Sequence, residues 1–133
     1  MSRKRFALAA VLLTLGAAAG CGNADDHAVT DTADAFYAAV ASDDGAAACA
    51  LLAPRTRSEL EQSAGKPCDT AILEEDIPEA GQARRTQVFG KMGQVQYAGD
   101  TAFLAEFHSG WRMMALICAP TPKDLPYDCK VSG

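Results

Sequence analysis

The chain has 133 residues, with 12 Lys+Arg against 17 Asp+Glu and a formal charge of −5. That length suits one domain, and the acidic balance argues against a nucleic-acid binder, which would carry a basic stripe. A hydrophobic content of 49% argues against a disordered chain, and a mean hydropathy near zero argues against a multi-pass membrane protein.

Arg3, Lys4 and Arg5 form a positive start, followed by an apolar stretch from Phe6 to Leu15 and then small residues from Gly16 to Gly20. The apolar run is too short to cross ~30 Å of hydrocarbon as a mature helix. Charge, short apolar run and small residues together predict a secretory signal over residues 1–20. The run Ala18-Ala19-Gly20-Cys21 resembles a bacterial lipobox. In signals of that kind the Cys is acylated, the bond before it is cut, and the Cys becomes the mature N-terminus. The resemblance therefore implies lipid (palmitate-type acyl chains) on Cys21 and attachment to the outer face of the cell membrane. Arg3-Lys4-Arg5 is not a true twin-arginine signal, so the general secretory route is expected. Loss of these three residues takes the basic side chains from 12 to 9 against an unchanged 17 acidic ones, so the mature chain carries −8. A surface that acidic is expected to be repelled by nucleic acid and by anionic headgroups.

Residues 21–27 read as a lipidated polar tether, in which Asp25, Asp26 and His27 are solvated or capping groups rather than metal ligands. A single α+β domain is expected over residues 28–133. From Ala28 to Ser42 the apolar positions Val29, Ala33, Phe36, Tyr37 and Val40 fall at helical spacing. Asp43-Asp44-Gly45 stops that helix and can cap a second from Ala46 to Leu52, and Pro54 starts a third through Gln62 with Leu60 inward. Residues 69–83 are acidic, and Glu74-Glu75-Asp76 is expected in an exposed loop or helical turn, without the DxDxDG spacing of a calcium loop.

The last third alternates polar and apolar residues. Thr86–Phe89 and Gln94–Tyr97 read as strands, Gly99-Asp100 as a hairpin turn, and Phe103, Ala105 and Phe107 as one face of a third strand. A three-residue turn at His108-Ser109-Gly110 sets Phe107 opposite Trp111, Ala105 opposite Met113 and Phe103 opposite Ala115. Trp111, Met113, Ala115 and Ile117 then share that face, and Tyr127 to Val131 is a short edge strand.

With Cys21 assigned to lipid, Cys49, Cys68, Cys118 and Cys129 remain, an even set that predicts two disulfides in an exported protein. Three pairings are open. Cys49–Cys68 with Cys118–Cys129 is favoured, because each joins neighbouring elements, and each would contribute roughly 3 kcal/mol in the chain-entropy account. No CxxC spacing points to a redox site, and His27 and His108 lack metal-finger spacing to a Cys, so neither a metal nor another cofactor is expected.

Helices first and an antiparallel meander after them predict an α+β domain in which a curved sheet wraps the first helix. That pattern resembles the nuclear-transport-factor-2-like (SnoaL-like) cone fold. Ala48–Leu52, Gly110-Trp111-Arg112, and Cys118 through Tyr127-Asp128-Cys129 are similar to small actinobacterial lipoproteins of that class. The resemblance implies an apolar pocket between helix and sheet, lined here by Phe36, Tyr37, Val40, Phe103, Phe107, Trp111 and Met113. Enzymes of that fold place an Asp or His in the pocket beside a hydrogen-bond donor. The pieces here are Asp34, Tyr37, Glu106 and His108, and they do not map onto an isomerase pair residue by residue. No Ser/His/Asp motif is visible. The expected function is therefore a non-catalytic binding or interaction module at the cell envelope, taking a small apolar ligand or an envelope protein. A pocket enzyme of ketosteroid-isomerase or dehydratase type and a purely structural envelope protein are the alternatives.

Overall fold

The computed structural model describes residues 24–133. The expected signal, Cys21 and its acylation, and the first tether residues Gly22 and Asn23 lie outside that range.

Helix α1 (Ala24–Ala41) buries Val29, Ala33, Phe36 and Tyr37, the face set out by their spacing. It begins four residues earlier than the apolar pattern indicates, so Ala24 to His27 are helical rather than tether. Asp43, in the left-handed region at φ 55°, ends it, a conformation that Asp tolerates better than most residues. The next Asp caps α2 (Gly45–Ala50): the Asp44 carboxylate accepts from the Ala47 N–H at 3.0 Å. Helix α3 (Pro54–Ala64) opens on its proline and closes on Gly65 at φ 65°. A fourth helix, α4 (Cys68–Glu74), opens the acidic stretch that residue spacing leaves unassigned, and buries Cys68, Ala71 and Ile72; Glu74 at its end and Asp76 beyond it are exposed, as expected. Gly45 has no room for a Cβ, which would meet the Asp69 carbonyl, so α2 and α4 cross in close contact. The Cys49–Cys68 disulfide fastens the same crossing.

Strands β1 (Ala83–Phe89), β2 (Met92–Tyr97), β3 (Thr101–Phe107), β4 (Gly110–Ala119) and β5 (Asp128–Ser132) form one antiparallel sheet in sequence order. Helices packed on a five-strand antiparallel sheet with two disulfides, Cys49–Cys68 and Cys118–Cys129, constitute the fold. Its core runs between α1 and the inner sheet face, where Phe36, Ile72, Leu104, Met113 and Leu116 are fully buried.

Register corrects the expected faces. Phe107 pairs with Gly110 and Glu106 with Trp111, so the β3–β4 turn holds two residues, His108 and Ser109, rather than three. Leu104, not Ala105, stands opposite Met113. Phe103 still meets Ala115, because β4 carries one extra residue, Met114, as a bulge. The bulge also reverses the alternation along β4. Trp111 and Met113 point inward before it, and Leu116 and Cys118 after it, while Ala115 and Ile117 leave the inner face. On β3 the inward residues are Ala102 and Leu104, which puts Phe103 and Phe107 on the outer face.

The bulge has a partner. The Met113 N–H donates to Leu51 O at 2.8 Å and the Ala53 N–H to Met113 O at 2.8 Å, so residues 51–53 cover the first half of β4. Strand β5 covers its second half. The buried Thr56 hydroxyl donates to the Met114 carbonyl at 2.9 Å, which ties α3 to the bulge itself.

Candidate functional site

Two phenol–carboxylate pairs stand side by side where α1 meets the β2–β3 turn. Tyr37 Oη donates to Asp100 Oδ2 at 2.6 Å, and Tyr97 Oη donates to Asp34 Oδ1 at 2.6 Å. Helical spacing sets Asp34 and Tyr37 one turn apart on α1. Tyr97 ends β2, and the Tyr97 N–H closes the turn on the Asp100 carbonyl at 2.8 Å. The two rings meet edge to face, with centroids 5.0 Å apart.

Asp100 is 7% exposed and saturated by donors. Its Oδ1 accepts from the N–H groups of Thr101 at 2.7 Å and Cys118 at 3.0 Å. Its Oδ2 accepts from Tyr37 Oη and from the Ile117 N–H at 2.9 Å. Ile117 sits at φ 56°, a left-handed conformation that is costly for a β-branched residue. The carboxylate thus clasps two successive amides at the strained point of β4, next to the Cys118–Cys129 disulfide.

Burial raises the pKa of Tyr37 above the usual phenol range, and the hydrogen bond to Asp100 and its charge push the same way. Burial likewise raises that of Tyr97, reinforced by the bond to Asp34 and by the nearby carboxylate charges. Both phenols therefore remain protonated donors at neutral pH, and both protons are committed to carboxylates. A catalytic dyad needs a base with a free lone pair, or a donor aimed at substrate. Asp100, Tyr37 and the Tyr97 hydroxyl are spent on one another and on the backbone.

Beside these pairs lies a cavity of about 330 Å³ between the second half of α1 and residues 77–81. Val40, Ala38 and Ala41 form one wall, and Ile77, Pro78 and Ala80 the other; Tyr37 lines it, and Asp34 and Glu79 bring carboxylates to it. Its size falls at the small end of ligand pockets. Among the described residues no three His, Cys, Asp or Glu side chains converge on a metal-binding point.

The structure distributes the expected pocket residues over three places. Tyr37 and Val40 line the cavity. Phe36, Trp111 and Met113 are buried core residues, and packing beside Trp111 is close: a Cβ on Gly93 would lie 2.8 and 2.9 Å from the two Val29 methyls and 3.5 Å from the Trp111 ring. Phe103 packs on Tyr127 at 5.0 Å between centroids on the outer face, and Phe107 is exposed on that face. Of the acid–base pieces, Asp34 and Tyr37 reach the cavity, while Glu106 and His108 are exposed at the β3–β4 turn. Asp100 was missed because Gly99-Asp100 reads as an ordinary solvated turn. Ile77, Pro78 and Ala80 were missed because they follow an acidic run with no periodic signal.

No protein-family model, curated protein or solved structure matches this chain.

Proposed function

We propose that this protein is a lipid-anchored, extracytoplasmic binding module that holds a small apolar ligand in the cavity between α1 and residues 77–81. The observation that carries the reading is the cavity itself: apart from Asp34 and Glu79 its walls are alkyl and aromatic, and of its polar groups Tyr37 is already hydrogen-bonded to Asp100 and Asp34 to Tyr97. Two disulfides suit an oxidising compartment outside the cytoplasm. The signal-like start and the lipobox-like Ala18–Cys21 supply the anchor. None of the helices among the described residues is long and apolar enough to cross a membrane, and the attachment proposed is through acyl chains at Cys21. The order of helices and meander supports kinship with cone-fold lipoproteins.

A pocket enzyme of isomerase or dehydratase type is the second reading, favoured by one observation: Asp34 and Tyr37 both border the cavity. It requires one of the committed phenols to be released toward substrate.

Two measurements test the proposal. Cys21→Ala moves the protein from the membrane fraction to the soluble one; persistence at the membrane contradicts the anchor. The neutral probe N-phenylnaphthylamine brightens on binding the protein, and Ala38→Trp, which fills the cavity from an exposed helix position, removes that signal without lowering the melting temperature. Turnover of an enolisable ketone or hydroxy ester, abolished by Asp34→Asn, would replace the binding reading with the catalytic one.

A further inference from the structure

Two hairpin tips, one helix end and three exposed apolar side chains share one end of the domain. Helix α1 runs along β2 in the same direction: Val29 lies against Gly93, Asp34 bonds Tyr97, and Tyr37 bonds Asp100. Near its start Thr30 Oγ1 also meets Thr86 Oγ1 at 2.7 Å. Gly93 is next to the β1–β2 turn at Gly90-Lys91, and Trp111, which also approaches Gly93, is next to the β3–β4 turn at His108-Ser109. Ala24 precedes Val29 by five residues, about 7.5 Å along a helix. The start of α1 therefore lies level with the two tips or beyond them. Cys21 precedes Ala24 by three residues, a reach of at most about 11 Å.

Exposed apolar side chains flank both tips. Five large hydrophobic residues are exposed among the described ones, and three are here: Phe89 at 67%, Met92 at 44% and Phe107 at 39%. Phe89 pairs with Met92 and Met92 with Ala105, two residues before Phe107, so all three project from the outer sheet face. At this end the basic Lys91 and Arg112 are outnumbered by the acidic Glu106, Asp25 and Asp26, so no excess of basic charge draws it to anionic headgroups.

We propose that Phe89, Met92 and Phe107 insert into the headgroup–acyl boundary of the membrane, so that the domain docks tips-down and turns its cavity away from the bilayer. The partner is the lipid interface, and the inference rests on the anchor at Cys21. Phenylalanine and methionine on a turn bury apolar area at that depth without a spanning helix. The contact is weak alone, but a tether of three residues makes it intramolecular, at millimolar effective concentration. Asp34, Tyr37 and residues 77–81 then stand at the far end of α1, open to ligand from outside.

The test uses the full acylated chain in vesicles of phosphatidylcholine brominated on its acyl chains. An indole is introduced by Phe89→Trp or, at the opposite end of the sheet, by Leu125→Trp, whose parent side chain is 63% exposed in the β4–β5 loop. The native Trp111, 6% exposed, supplies a common background. Docking predicts that emission from position 89 shifts blue and loses about half its intensity to bromine, as expected for a depth of roughly 5–10 Å, while position 125 is unquenched. Equal quenching at the two positions, or none at 89, overturns the proposal. The anchor is scored separately, from the acyl mass on Cys21. If that mass is absent, the anchoring reading fails, and the unacylated Phe89→Trp and Leu125→Trp chains are mixed with the same vesicles at millimolar lipid. Quenching at 89 but not 125 then sustains the tip contact, and its absence removes it.

Discussion

The Tyr37 hydroxyl donates to the Asp100 carboxylate at 2.6 Å across a separation of 63 residues, and this bond couples α1 to the open end of the β3–β4 pair. Asp100 in turn holds the Ile117 and Cys118 amides. One buried carboxylate therefore joins a helix, a hairpin turn and a strained strand.

Removing that carboxylate leaves three amide donors and a phenol without their acceptor. Asp100→Ala is expected to cost more than 3 kcal/mol, since each buried unsatisfied group costs about 1–3 kcal/mol. Tyr37→Phe removes only one donor from an oxygen that keeps another, and is expected to cost about 1–2 kcal/mol. Urea unfolding of both variants measures the difference. Equal and small effects would show that Asp100 does not act as a clasp.

The raised phenols make stability fall at alkaline pH. A Tyr whose folded pKa lies above its ordinary value of about 10 binds its proton more tightly in the native state. Its contribution is complete below about pH 10 and declines as pH rises further, because the unfolded chain ionises first. The phenols' contribution to stability should therefore be level below about pH 9.5 and fall above it, and Tyr37→Phe should make the fall less steep. Ultraviolet titration at the phenolate band should show two of the three tyrosines ionising only as the protein unfolds. Normal titration of all three would contradict the buried pairing.

Close approach of α1 to β2 depends on Gly93. A methyl there meets both Val29 methyls, and neither side has a flexible end to yield. Gly93→Ala is expected to destabilise by about 1–3 kcal/mol, the range for overpacking, and Val29→Ala in the same chain is expected to recover part of it. Thermal melts of the single and double variants report this directly, and strict additivity would argue against the contact.

Each disulfide closes a short loop, with separations of 19 and 11 residues. Replacing Cys49 and Cys68 together by Ser is expected to cost roughly 3 kcal/mol. The Cys118–Cys129 pair shares its strand with the Asp100 clasp, so its loss combined with Asp100→Asn should be non-additive by about 0.5–3 kcal/mol. Denaturation midpoints of the full cycle decide between coupled and independent supports.

Residue spacing disclosed the elements but not their junctions. The α1 face was legible because Val29, Ala33, Phe36 and Tyr37 repeat at helical spacing, and the disulfides because two pairs of cysteines flank neighbouring elements. Helix α4 was not, since its 7 residues are too few to show a periodic apolar face. The β3–β4 register was lost to two compensating features, a shorter turn and an extra Met114. These preserve Phe103 opposite Ala115 and shift every pair nearer the turn. A bulge leaves no mark in a run of consecutive apolar residues such as Met113-Met114-Ala115-Leu116. Asp100 looks like any turn aspartate until Tyr37, Ile117 and Cys118 are brought to it by tertiary packing.

Amide chemical shifts of the labelled protein during titration with N-phenylnaphthylamine locate the bound ligand on the α1 cavity or elsewhere. Ligand held in the cavity gives saturable shifts at residues 34–41, Ile77 and 79–81, with the amides of Phe89 to Met92 and Phe107 to Gly110 unmoved. Shifts centred on those hairpin tips, or none at the cavity walls, would contradict binding there.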